Sequence, residues 1–114
     1  MSDCLFCKIV AKEIPAEIVY ETGRALAFRD TNPQAPTHVL VVPKSHYTDA
    51  AALAAADDGL ADEVLKTAHE VAVLDGVAEG GYRIVLNTGS GAGQTVFHVH
   101  AHVLGGRNLT WPPG

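Results

Sequence analysis

Three histidines alternate with other residues near the carboxyl end of the chain. His98, His100 and His102 are separated by one residue each. Successive side chains of a β-strand point to opposite faces, so a strand over residues 97–104 is predicted to carry the three imidazoles on one face. The opposite face then carries the apolar side chains of Phe97, Val99, Ala101 and Val103. Half of the chain's six histidines lie on this one face, and we therefore interpret it as the active site.

Three kinds of site could use such a row of imidazoles. The simplest is a surface strand whose histidines have no function, but three histidines at this spacing beside a glycine-rich loop argue against it. A metal site is the second, because His-x-His on a strand chelates well. However, the outer two residues lie about 13 Å apart along a strand, whereas zinc binds nitrogen at about 2.0–2.1 Å, so one ion cannot take all three rings. We favour the third, chemistry on a phosphate group with the middle ring as nucleophile.

A glycine-rich loop, residues 89–93, precedes the histidine strand. Glycine allows sharp turns and a close approach of the backbone, so we expect the N–H groups of this loop to contact phosphate oxygens. Gln94 and Thr95 add polar side chains next to the histidines. The loop does not match the lysine pattern of phosphate-binding loops, and by itself it supports the phosphate hypothesis only weakly.

The composition limits the fold and the partners. The chain has 114 residues, 47% of them hydrophobic and 18% charged, which predicts a single globular domain over residues 1–114. A net charge of −5 argues against general binding to nucleic acid or to an anionic membrane. The sequence contains neither a basic leader followed by an apolar segment nor an apolar run of about 18 residues, so a cytoplasmic location is expected.

Apolar periodicity and turn-forming residues predict an α+β fold with an antiparallel sheet. Helices are expected over residues 4–12 and 49–75, and strands over residues 18–21, 25–29, 38–42, 82–86 and 97–104. The long helix is marked by an apolar stripe consisting of Leu60, Val64, Ala68 and Val71. Strands joined by short turns, without an alternating βαβ order, favour antiparallel pairing.

The segment His98-Val99-His100-Ala101-His102-Val103-Leu104 resembles the signature of the histidine triad (HIT) family. Residues 4–9, 13–16, 27–30, 33–38, 43–46, 87–89 and 111–114 resemble the Hint branch of that family, so the resemblance covers essentially the full chain. It implies a HIT-like fold: a mostly antiparallel five-stranded sheet with one long and one short helix, and sheets joined across a homodimer. The implied activity is that of a purine nucleoside phosphoramidase of the adenosine 5′-monophosphoramidase type, which also binds nucleoside monophosphates.

The same resemblance implies catalytic roles residue by residue. His100 would attack the α-phosphorus and form a nucleotidyl-histidine that water hydrolyses. His102 would hydrogen-bond a phosphate oxygen, and His38 would be the extra histidine of a relay behind the nucleophile. His98 completes the catalytic triad. No cofactor is required for this step, because imidazole supplies the nucleophile.

Nucleotide-binding positions are implied as well. The residues that match those around the phosphate and leaving group are Asn87, Gly93, Gln94 and Thr95, with His100 and His102. Asp30 matches the acceptor for both ribose hydroxyls, a role that suits a carboxylate with two oxygens. The apolar cleft around the base is expected to contain Phe6, Ile9, Phe28 and Leu40. The tail, residues 107–114, is expected to reach toward the partner subunit's site.

Cys4 and Cys7 have the Cys-x-x-Cys spacing of zinc ligands. Buried thiols without a function are the simpler interpretation. His46 and His98 would complete a Cys₂His₂ set, and resemblance to bacterial HIT proteins that carry such a zinc keeps a structural zinc open. A redox pair of the thioredoxin type is disfavoured, because no such pattern surrounds the two cysteines.

Two other functions remain compatible with the sequence. One is a zinc-dependent hydrolase whose histidine row holds a catalytic metal. The other is a nucleotide-binding regulatory module with little turnover. The expected partners are a small purine nucleotide and a second copy of the chain.

Overall fold

Five antiparallel strands form one open sheet in the computed structural model, which describes residues 3–114. The strands are β1 (Ile18–Glu21), β2 (Ala25–Arg29), β3 (Thr37–Pro43), β4 (Tyr82–Val85) and β5 (Ala101–Gly105), in the spatial order β1-β2-β3-β5-β4. The helices are α1 (Leu5–Val10), α2 (Ala50–Ala55) and α3 (Leu60–Leu74). The sheet confirms the predicted fold class, and the first two residues of the predicted domain lie outside the described residues.

The central strand β3 is buried at all seven of its positions. It pairs with β2 on one side and β5 on the other, which leaves little of it in contact with water. A continuous apolar run is typical of a strand covered on both faces. Phe28 of β2 and His102 of β5 both lie opposite Leu40, so these three side chains share one face of the sheet.

Two apolar layers cover the two faces of the sheet. One layer packs α3 against Ala27, Val39, Val41, Ala101 and Val103. The buried residues of the other layer are Phe6 and Ile9 of α1 with Leu26, Phe28, Leu40 and Val42. This second face is the one that carries His102, so α1 and the histidines lie on the same side of the sheet.

The long helix predicted over residues 49–75 is in fact two helices. The stripe that begins at Leu60 is buried as predicted, but the chain turns between α2 and α3. Asp57 and Gly59 adopt left-handed backbone conformations, with φ of 49° and 83°, which no α-helix accommodates. The Asp58 carboxylate accepts the backbone N–H of Leu60 at 3.2 Å and so helps to begin α3. With α1, this makes three helices rather than two within residues 3–114.

The histidine strand is shorter than the sequence predicts. β5 begins only at Ala101, because the N–H of Val99 donates to the Tyr47 carbonyl at 2.7 Å rather than to a neighbouring strand. Phe97 is 49% exposed and His98 is fully buried, so the predicted placement of Phe97 in the core is wrong. Within the part of the chain that is described, no helix has both the length and the apolar character needed to cross a bilayer.

Candidate active site

A cleft of about 410 Å³ opens between α1 and the sheet face that carries His102. The predicted site residues that line it are Phe6, Ile9, Phe28, Asp30, Leu40, Thr95, His100 and His102. The chain segment after α1 closes another side of the cleft with Ile14, Pro15, Ala16 and Glu17, which were not predicted as site residues. The signal for this wall was present, since residues 13–16 form one of the segments that resemble the Hint branch.

The inner wall of the cleft is aromatic and touches the central histidine. Phe6 and Phe28 meet edge to face with ring centroids 5.5 Å apart. The Phe6 ring also meets His100 in a T-shaped contact at 4.9 Å. Such edge contacts fix ring orientation as well as bury apolar area. The apolar end of the cleft is therefore continuous with the group that can do chemistry.

One hydrogen bond determines which nitrogen of His100 is available. The Nδ1 atom lies 2.8 Å from the backbone carbonyl of His98. A carbonyl can only accept, so Nδ1 carries the proton in the neutral ring and Nε2 keeps its lone pair. The residue is 9% exposed and lines the cleft. His100 is thus a buried imidazole that is oriented through Nδ1, while its unprotonated Nε2 takes no part in that hydrogen bond.

A chain of hydrogen bonds fixes the tautomers of His38 and His102 as well. The backbone N–H of Gln34 donates to His38 Nδ1 at 3.0 Å, so the neutral His38 ring carries its proton on Nε2. That Nε2–H lies 3.0 Å from His102 Nδ1, which must accept it. His102 then carries its own proton on Nε2. His38 touches His102 rather than His100, so the predicted relay reaches the nucleophile only through His102.

Burial keeps these two rings neutral. It lowers the pKa of His102 to about 4, helped by the nearby His100 and His38 rings and opposed by the Asp30 carboxylate. Burial also lowers the pKa of His38, again against the opposing charge of Asp30. At neutral pH His102 therefore offers an uncharged N–H donor and not a cationic one.

Asp30, His38 and His102 bring three donor atoms within 4.8 Å of one another, but they do not form a good metal site. A metal ion would have to replace the proton on His38 Nε2. The Gln34 N–H already occupies Nδ1, so the displaced proton could not move to the other nitrogen of the ring. This arrangement argues against a metal held by the histidines of the cleft.

The glycine-rich loop does not present its amides to the cleft as expected. The N–H groups of Ala92, Gly93 and Gln94 donate to carbonyls within the loop. The Gly89 N–H donates to the Gln94 side chain at 2.9 Å, and the same carboxamide donates to the carbonyls of Thr48 and Val96. These groups stabilise the loop itself. Of the four predicted phosphate contacts around this loop, only Thr95 lines the cleft, whereas Asn87, Gly93 and Gln94 do not.

A second cluster lies beside the cleft and contains Cys4, Cys7, His46 and His98. His98 Nδ1 is 3.4 Å from Cys4 Sγ and 3.5 Å from Cys7 Sγ, and Cys7 Sγ is 3.3 Å from His46 Nδ1. His98 Nε2 lies 2.8 Å from the Pro43 carbonyl, so the proton sits there and Nδ1 is left unprotonated toward the sulfurs.

The geometry of this cluster fits a tetrahedral zinc ion. All four donor atoms lie within 4.8 Å of one another, and zinc at about 2.3 Å from sulfur and 2.0–2.1 Å from nitrogen requires donors about 3.5 Å apart. The bond from His98 to Pro43 is the kind of outer contact that fixes a ligand's tautomer. Burial, followed by the neighbouring rings of His46 and His100, lowers the pKa of His98 against the effect of the Pro43 carbonyl. The His98 ring therefore belongs to this cluster, whereas its backbone carbonyl accepts the hydrogen bond from His100.

Comparison with known proteins gives consistent results. The family model for the HIT domain matches residues 11–109. The chain is 50% identical over 112 residues to a HIT-like protein of Synechococcus elongatus, covering 98% of this chain and 97% of that protein. It is 47% identical over 116 residues to the 14 kDa zinc-binding protein of Zea mays, covering 99% and 89%. Among solved structures, the HIT family hydrolase from Legionella pneumophila Philadelphia 1 superimposes with a TM-score of 0.94 at 50% identity, covering 98% of this chain and all of that one.

Proposed function

Since the chain belongs to the HIT domain family, we propose that it hydrolyses the P–N bond of purine nucleoside 5′-phosphoramidates through a nucleotidyl-histidine intermediate. The observation that carries the proposal is the state of His100. Its Nδ1–H is held by the His98 carbonyl at 2.8 Å, which leaves Nε2 unprotonated in the cleft. A neutral imidazole oriented in this way is a competent nucleophile at neutral pH.

The substrate is proposed to lie along the cleft with its base against the apolar wall. Phe6, Phe28 and Leu40 would enclose the base, and a cavity of about 410 Å³ is within the range of small-molecule sites. The Asp30 carboxylate would accept the ribose hydroxyls. One of its oxygens accepts the Asn32 N–H at 2.8 Å, which fixes the carboxylate and leaves it lone pairs for hydroxyl donors.

The reaction then proceeds in two displacements. His100 Nε2 attacks the phosphorus as the P–N bond breaks, and the leaving nitrogen departs as an amine with a proton taken from solvent. The His98 carbonyl, which accepts the Nδ1–H of His100, stabilises the positive charge that the ring acquires. Water next attacks the phosphorus, the bond to Nε2 breaks, and a nucleoside monophosphate is released. His102 donates its Nε2–H to a phosphate oxygen in both steps.

A structural zinc ion is proposed for the cluster of Cys4, Cys7, His46 and His98. Support comes from the donor set and its spacing and from the 47% identity to a relative named as zinc-binding. Bound there, zinc would link the start of α1 to the segment that enters β5. The cleft histidines would stay free for the phosphate.

We also propose a homodimer. Strand β4 lies at an edge of the sheet and pairs only with β5, and unpaired strand edges are usually covered in native proteins. Exposed apolar side chains add to this, namely Leu65, Val73, Leu74 and Leu86. A second copy that continued the sheet at β4 would cover the edge.

Comparison of wild type with His100→Ala tests the enzymatic proposal. Hydrolysis of adenosine 5′-monophosphoramidate should fall by at least about a thousandfold, as expected for loss of a nucleophile, while adenosine monophosphate still binds. The variant Glu21→Gln is a suitable control, since Glu21 is an exposed residue of β1 that neither lines the cleft nor lies at the proposed dimer edge. Equal slow rates in wild type and His100→Ala would favour the nucleotide-binding module. Loss of turnover on chelation in a protein that remains folded would favour the zinc-dependent hydrolase.

A further inference from the structure

His98 connects the thiol cluster to the nucleophile. Its ring faces Cys4 and Cys7, with Nδ1 at 3.4 and 3.5 Å from their sulfurs. Its backbone carbonyl, 2.8 Å away, accepts the Nδ1–H of His100. The ring is fully buried and is held from its other side by the Pro43 carbonyl. A chemical change at the two sulfurs therefore alters the contacts of His98, the residue that orients the His100 ring.

The two sulfurs are close enough to react with each other and accessible enough to be oxidised. Both cysteines are half-buried, and their Sγ atoms lie within 4.8 Å of one another. The Cys7 N–H donates to Cys4 Sγ at 3.4 Å, because Cys4 caps the helix in which Cys7 completes the first turn. His46, on the outer side of the cluster, is exposed. These are the only two cysteines of the chain.

Although the sequence around the pair disfavours a redox site of the thioredoxin type, we propose that Cys4 and Cys7, placed beside His98, form a reversible oxidation site that controls the orientation of the nucleophile. This proposal rests on the proposed function of His100. With hydrogen peroxide as oxidant, the two thiols give up two protons and two electrons, an S–S bond forms, and the peroxide is reduced to two molecules of water. When the cluster holds zinc, the two thiolates supply the two electrons, solvent supplies the two protons, and the ion is released.

The disulfide changes the surroundings of His98. Its sulfurs must approach to about 2.05 Å and can no longer act as thiolate ligands or as S–H donors to Nδ1. The His98 ring then keeps its hydrogen bond to Pro43 and its contacts with the Phe6 and His46 rings but loses its contact with the thiols, and its carbonyl is held less firmly against His100. Loss of an outer contact of this kind typically costs 10- to 100-fold. Reduced protein without metal keeps both thiols near His98, so oxidation lowers activity more than removal of metal does.

The test compares zinc-loaded wild type before and after stoichiometric hydrogen peroxide. We expect one disulfide by mass after alkylation, release of zinc to a metallochromic dye, and a kcat for adenosine 5′-monophosphoramidate about 10-fold lower with KM changed less than threefold. Nitrogen NMR should show that the Nδ1–H tautomer of His100 is no longer dominant. Dithiothreitol with added zinc should restore all four readouts.

The control is Cys4→Ser combined with Cys7→Ser, treated with the same peroxide. Its activity should not change on treatment, which excludes oxidation of Trp111 as the cause. The proposal is overturned if oxidised wild type keeps its kcat and its His100 tautomer, or if the serine variant loses as much activity as wild type. Absence of turnover in the reduced protein would refute the proposed function instead. The NMR signature of His100 would then still decide whether the thiols orient it.

Discussion

Because burial lowers the pKa of His102 in the folded protein, this ring should contribute a separable part of the pH dependence of stability. We test this with the variant His102→Asn. The asparagine oxygen can replace Nδ1 as the acceptor for His38 Nε2–H, but it is not protonated between pH 7 and pH 4. Wild-type His102 has a pKa of about 4 in the folded protein and about 6.5 in the unfolded chain. The unfolded state thus binds more protons between pH 6.5 and pH 4.

The sign and size of the effect follow from this difference. Stability from His102 is complete above pH 6.5 and is lost as the pH falls toward 4, because protonation favours the unfolded chain. The ring is partly exposed, so the shift is discounted for solvent screening. We expect the free energy of unfolding to fall by about 2 kcal/mol from this group between pH 7 and pH 4.5.

Urea denaturation at pH 7, 5.5 and 4.5 measures the effect. Carboxylates such as Asp75, whose pKa is lowered chiefly by its hydrogen bonds to Arg29, also reduce stability in acid. The informative quantity is therefore the difference in pH dependence between wild type and His102→Asn. The control Gly91→Ala, which adds only a methyl group in open space, should keep the wild-type dependence. Parallel curves for wild type and His102→Asn, agreeing within about 0.5 kcal/mol, would refute the reasoning.

Three further predictions concern the packing of the fold and the ribose end of the cleft. Asp75→Ala removes the acceptor of a two-bond guanidinium contact at 2.8 and 3.0 Å and should lower the free energy of unfolding by about 2 kcal/mol, measured by urea denaturation. Gly105→Ala should lower it by about 1–3 kcal/mol, because the new methyl would lie 2.9 Å from Val77, whereas Gly91→Ala meets open space and should have little effect on the melting temperature. Asp30→Ala should weaken adenosine monophosphate binding by about 10-fold through loss of charged hydrogen bonds to the ribose, measured by calorimetry, and unchanged affinity would contradict the assigned pose.

The parts of the fold that the sequence predicts are those where local pattern and tertiary packing agree. The hairpin of β1 and β2 and the buried strand β3 were predicted nearly to the residue. The break before α3 was not, although Asp57, Asp58 and Gly59 have low helix propensity. Asp57 and Gly59 adopt left-handed conformations there, whereas the alanines on either side favour helix and suggested one continuous element.

The candidate site was predictable in its residues but less so in its geometry. Motif resemblance identified the cleft residues, and eight of them line one cavity. Alternation did not indicate that the His98 ring faces the sulfurs of Cys4 and Cys7 and does not line the cleft. The internal bonds of the glycine-rich loop depend on the Gln94 side chain, and spacing alone does not indicate them.

The central claim is that His100 forms the covalent bond to phosphorus. Acid-quenched mass spectrometry during turnover of adenosine 5′-monophosphoramidate tests it most directly. The account predicts a transient mass increase of one nucleotidyl group on the peptide that contains His100, absent from His100→Ala. Steady turnover with no adduct at any quench time, or an adduct carried by His102, would contradict it.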